Sequence, residues 1–81
     1  MRLDKFLKVS RIIKRRTVAN TVSDMGRVLV NGNQAKPAKQ LKVGDIIEIE
    51  YSSKTEKFEV LIIPNGNVSI QESSTLYRIV E

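Results

Sequence analysis

The stretch "RVLVNGNQAK", residues 27–36, decides how the chain is organised. Val28, Leu29 and Val30 form a short aliphatic run, Asn31-Gly32 is the strongest short hairpin signal, and Asn33 onwards returns until Pro37 stops it. Immediately upstream the apolar spacing is different. Val18, Ala19, Val22 and Met25 follow a helical period, and Gly26 stands where a left-handed helix C-cap belongs. The change of period at Gly26 therefore separates a helical first part from a strand-forming remainder.

Working towards the N-terminus, Leu3, Phe6 and Leu7 again follow helical spacing, with Arg2, Lys5 and Lys8 projecting to the other side. Ser10, Ile12 and Ile13 end this first helix. "KRRT", residues 14–17, then falls at the elbow between two short helices and enters the second. Arg15 or Arg16 occupies a first helical turn, where the helix dipole disfavours a cation, and no acid lies near it in the sequence. Towards the C-terminus, "KVGDIIEIEY" begins with a Gly-Asp turn and alternates apolar with acidic residues from Ile47. Ser52 to Thr55 reads as a turn, "EKFEVLIIP" as a strand closed by Pro64, and "NGN" at 65–67 as another turn. The last stretch allows one helical turn around Gln71 to Ser74 and a short strand at Tyr77 to Val80. The expected fold is α+β: two short N-terminal helices packed on a small, mostly antiparallel sheet, all within a single domain of residues 1–81.

Composition narrows the chemistry. The chain has no cysteine and no histidine, which removes thiolate sites and the commonest general base and metal ligand. No phosphate-binding, dinucleotide-binding or zinc-hydrolase motif occurs, and Asp4, Asp24 and Asp45 are scattered. We expect no enzyme, no metal and no cofactor. The charged opening "MRLDK" and the short longest apolar run, "VLII" at 60–63, predict neither a signal peptide nor a membrane span, hence a cytoplasmic protein.

Charge is sharply divided. Residues 1–42 carry eleven Lys/Arg against two acids, and residues 43–81 carry three against seven, which together give the net +5. Arg2, Lys5, Lys8, Arg11, Lys14, Arg15 and Arg16 are seven cations in sixteen residues, opposed only by Asp4. Such a run is often a solvated face. Here its density, its place at an elbow and the acidic second half favour a polyanionic partner. Arginine's planar fork suits bidentate phosphate binding. Aromatic residues are too few for a base-stacking platform, and Phe6 belongs to the core, so backbone and shape of folded RNA are the expected target. A basic amphipathic helix could also lie on an anionic membrane, but its apolar face is only about three residues and is needed by the sheet.

The residues then become recognisable. Arg2-Leu3-Asp4, Arg16-Thr17-Val18-Ala19, Gly26-Arg27-Val28-Leu29-Val30-Asn31-Gly32 and Leu41-Lys42-Val43-Gly44-Asp45 closely resemble the alpha-L RNA-binding motif, the domain named for ribosomal small-subunit protein four. Only Leu41 departs, standing where the pattern has Val. The resemblance covers residues 2–50 and leaves 51–81 as a C-terminal strand extension. It implies an L-shaped RNA surface in which Arg2, Lys5, Arg11, Arg15, Arg16 and Thr17 face RNA and Lys36 reaches it from the hairpin. Lys8 and Lys14 join that candidate site through the charge run, and Asp4 would orient Arg2 or a neighbouring Arg. As a stand-alone domain with "KVSRIIKRRT" and "STLYRIV", the chain looks like the RqcP family, relatives of the fifteen-kilodalton heat-shock RNA-binding protein without its long basic tail. That likeness implies a monomer on the large ribosomal subunit, contacting rRNA and P-site peptidyl-tRNA on obstructed subunits and supporting C-terminal alanine tailing with RqcH. Two rival readings are a ribosome-assembly or RNA-chaperone factor on free rRNA, and a protein-interaction module whose basic face is incidental.

Overall fold

A computed structural model describes all 81 residues. Helix α1 spans Leu3–Val9 and buries Leu3, Phe6 and Leu7 completely, as their spacing requires. Helix α2 spans Arg16–Asp24 and turns a different stripe inward from the one expected. Ala19 and Ser23 are buried, Val22 is partly buried, and Val18 and Met25 lie exposed. The small pair Ala19 and Ser23, four residues apart, presents a smooth face inward, and Ser23 Oγ is satisfied by the Ala19 carbonyl at 2.8 Å. The larger Val18 and Met25 are left at the margins.

Strands β1 (Val28–Val30), β2 (Asn33–Gln34), β3 (Ile46–Glu50), β4 (Thr55–Val60) and β5 (Tyr77–Val80) form one antiparallel sheet in the order β2-β1-β3-β4-β5. Val30 pairs with Asn33 across the two-residue loop, and Asn31 and Gly32 have φ of 53° and 85°. This is the doubly left-handed turn that Asn-Gly favours. Asn31 does a second job: its amide donates to Asp45 Oδ1 at 3.1 Å and accepts from the Ile46 N–H at 3.0 Å. Asp45 Oδ2 in turn accepts from the Lys42 N–H at 2.9 Å. The hairpin and the Gly-Asp turn are thereby tied together, which explains why the two sequence signals belong to one unit.

The inner sheet face buries Val28, Val30, Ile47, Ile49, Phe58 and Val60 in one cluster with α1. On the outer face Glu48 stands opposite Lys57 and Glu59 opposite Arg78, at 4.0 and 2.6 Å. Strand β4 stops at Val60 rather than continuing to Pro64, because the N–H groups of Leu61 and Ile62 both turn to the Leu76 carbonyl. A one-turn helix, α3 (Ile70–Ser73), is capped by Ser69, whose hydroxyl oxygen accepts from the Glu72 N–H at 3.2 Å. Phe58 and Tyr77 meet edge to face, 5.4 Å between centroids, and seat β5 on the core.

Candidate nucleic-acid interface

Asp4 organises the first half of the basic surface. It sits in the first turn of α1 with its side chain 2% exposed. Arg2 donates to both carboxylate oxygens, from Nε and Nη2, each at 3.2 Å. Arg16, at the start of α2, approaches with Nε at 3.4 Å and Nη2 at 3.5 Å. The Asn20 amide donates at 3.4 Å and the Lys5 backbone N–H at 2.8 Å. Burial alone would push the Asp4 carboxyl up. Hydrogen bonds from Arg16 and Asn20, the Arg16 charge and the Lys5 N–H outweigh it and hold the group below its ordinary value. The expectation that Arg16 has no acid nearby is therefore wrong in space, since Asp4 lies twelve positions away along the chain but in contact.

Both arginine side chains remain nearly half exposed, 44% for Arg2 and 46% for Arg16. They line an open hollow of about 550 Å³ with Asp4, Thr17, Asn20 and Thr21. No apolar side chain contributes to it. A concave site walled by two orientated arginines, two hydroxyls and an amide can accept phosphate and ribose oxygens, and it has no aromatic ring on which to stack a base.

A second hollow of about 60 Å³ lies at the other end of α1, lined by Lys8, Val9, Arg11, Lys14, Asn67, Val68 and Ile70. Arg11 terminates α1 with φ of 63°, and the Ile13 N–H reaches back to the Leu7 carbonyl at 3.0 Å. Of the nine residues expected to face RNA, the structure gathers Arg2, Arg16 and Thr17 in the first hollow and Lys8, Arg11 and Lys14 in the second. Lys5 is half-buried, Arg15 and Lys36 are exposed, and these three line neither hollow. Residues 36–40 do run against the start of α1, through the Leu3 N–H to the Lys39 carbonyl and the Asp4 N–H to the Pro37 carbonyl. Asn20 and Thr21 were missed. Helical spacing could have found them, because they stand four residues beyond Arg16 and Thr17. Asn67 is marked in the sequence only as part of a turn, with nothing local to connect it to the basic elbow.

The pattern of the S4 domain matches residues 1–47, more than half of the chain. The chain belongs to the S4 domain family. Its full-length relatives include an RQC P-site tRNA stabilizing factor of Halalkalibacterium halodurans, 48% identical over 98% of this chain and 89% of that one. Another with the same name, from Bacillus subtilis, is 43% identical over 100% of this chain and 93% of its own length. Among solved structures, the trimeric Heat Shock Protein 15 of Vibrio cholerae superposes with a TM-score of 0.88 at 30% identity, covering 99% of this chain and 81% of that one. In this S4 domain the motif pieces Arg2-Leu3-Asp4 and Arg16-Thr17-Val18-Ala19 have one shared purpose. The first supplies the acid and one arginine of the ion-pair hub, and the second supplies the other arginine together with the small Ala19 that packs in the core.

Proposed function

We propose that the protein binds the large ribosomal subunit and stabilises P-site tRNA there during ribosome-associated quality control. The observation that carries this reading is the concentration of seven cations in the first sixteen residues, two of which, Arg2 and Arg16, wall a polar hollow between the two helices. The names of the full-length relatives supply the biological setting. On this reading Arg2, Lys5, Lys8, Arg11, Lys14, Arg15, Arg16, Thr17 and Lys36 face rRNA and tRNA. Asp4 acts as the positioning group, and the ion-paired outer sheet face points to solvent. The protein works in the cytoplasm as a monomer, without catalysis of its own, and supports an RqcH-type factor that adds alanine to stranded chains. No helix is long and apolar enough to cross a membrane.

Gradient sedimentation of the tagged protein tests this. It should travel with large subunits that retain peptidyl-tRNA. Migration with assembly precursors would favour a maturation factor, and a position at the top of the gradient would remove the ribosome from the account.

A further inference from the structure

The second hollow lies only partly within the S4 match, because three of its seven lining residues, Asn67, Val68 and Ile70, come from beyond residue 47. Three features set it apart. Lys8, Arg11 and Lys14 converge there, and none has a carboxylate within 4.0 Å, whereas Arg2 and Arg16 are already engaged with Asp4. Arg11 holds a left-handed backbone at a helix C-terminus, a position where glycine is the unstrained choice. The Ile13 N–H bond to the Leu7 carbonyl holds this left-handed turn, and a glycine would serve it without strain, so the local backbone does not itself require an arginine side chain here. The opposite wall is mixed, with the Asn67 side chain beside Val68 and an Ile70 that is 68% exposed.

We propose that this groove is a second RNA-backbone site: Lys8, Arg11 and Lys14 take phosphate, while Asn67 and Ile70 of the C-terminal extension close over the adjoining sugar. The proposal rests on the ribosome-binding reading above and gives the extension a binding role in addition to its strands. RNA is preferred to an acidic peptide because the groove is continuous with the basic elbow and offers an amide beside the cations. An apolar contact such as Ile70 suits the ribose face.

The test uses the full chain and purified large subunits carrying P-site tRNA. Arg11→Gly should raise the melting temperature by about 4 °C, since it relieves the backbone. It should also weaken subunit binding about threefold to fivefold and lower the salt slope by about 0.7–0.9. A residue with only a structural role cannot move stability and affinity in opposite directions. The pair Asn67→Asp and Ile70→Asp, at exposed positions, should weaken binding with the melting temperature kept, and a photocrosslinker at Asn67 should label RNA. Groove variants that bind like the wild type, or crosslinks to protein alone, overturn this inference while Arg16→Ala still reports on the first hollow. Wild-type protein that fails to bind at all overturns the ribosome-binding reading and this inference with it.

Discussion

Replacing Asp4 by asparagine separates positioning from charge. The substitution keeps shape and removes one negative charge from beside two arginines. Each Arg–carboxylate pair is nearly half exposed on its cationic side, so each contributes about 0.2–1 kcal/mol rather than the value of a buried pair. The new amide must also place N–H donors in a site surrounded by donors from Arg2, Arg16, Asn20 and Lys5, an unsatisfied arrangement that costs about 1–3 kcal/mol. Asp4→Asn should therefore destabilise the fold by about 2 kcal/mol, or roughly 8–16 °C in melting temperature for a domain of this size. The pH dependence has a definite sign. The Asp4 carboxyl is depressed in the folded state, so its contribution is fully present above the unfolded value and is lost as pH falls through the folded one. The gap between wild type and variant should be full at pH 5–7 and close below about pH 4. RNA affinity gives the sharper contrast. A simple field argument says that removing an acid tightens RNA binding, whereas loss of arginine positioning weakens it. Urea titrations at several pH values, with RNA binding measured where the variant is folded, decide both points. A pH-independent gap, or tighter RNA binding at unchanged salt slope, would refute the role assigned to Asp4.

Arg16→Ala should weaken RNA binding, lower the salt slope by somewhat less than about 1, and cost at most about 1 kcal/mol because Asp4 keeps Arg2; unchanged binding would mark the first hollow as a solvated helix end. Gly32→Val should cost roughly 1–2 kcal/mol through backbone strain alone, since nothing lies within 4 Å of a Cβ at that φ of +85°, with RNA binding falling only by the unfolded fraction. A variant as stable as the parent in thermal melts would remove the assigned turn. Glu48→Lys with Glu50→Lys should change stability by about 0.5 kcal/mol, mainly by placing a cation opposite Lys57, and should leave specific binding in place. Arg11→Glu with Arg15→Glu, which break no ion pair, should abolish it. Equal and opposite shifts from these two pairs in the same binding assay would mean that only total charge matters.

Most of the fold was legible because local signals agreed with one another. The hairpin was written in Asn31-Gly32, α1 in the spacing of Leu3, Phe6 and Leu7, and the last strand and its preceding turn in residues 69–80. Two elements were misread for tertiary reasons. The orientation of α2 is set by close packing at Ala19 and Ser23, which outweighs the hydrophobicity of Val18 and Met25. The end of β4 is set by Leu76, sixteen residues beyond Val60, through a carbonyl shared by two N–H groups. Site composition was readable as a charge run, but its division into two hollows was not. That division depends on Asp4 meeting Arg16 across the helix pair, and on residues 67–70 returning to the elbow from far along the chain. Charge density marks a surface. Only the fold says which charges are held and which are free.

The central claim is that the N-terminal surface reads a large subunit together with its P-site tRNA. Equilibrium binding of the protein to large subunits with and without P-site peptidyl-tRNA, at matched ionic strength, tests it most directly. Tighter binding to the loaded subunit, with the difference abolished by Arg2→Ala plus Arg16→Ala, is the predicted result. Equal affinity for loaded and empty subunits would contradict it.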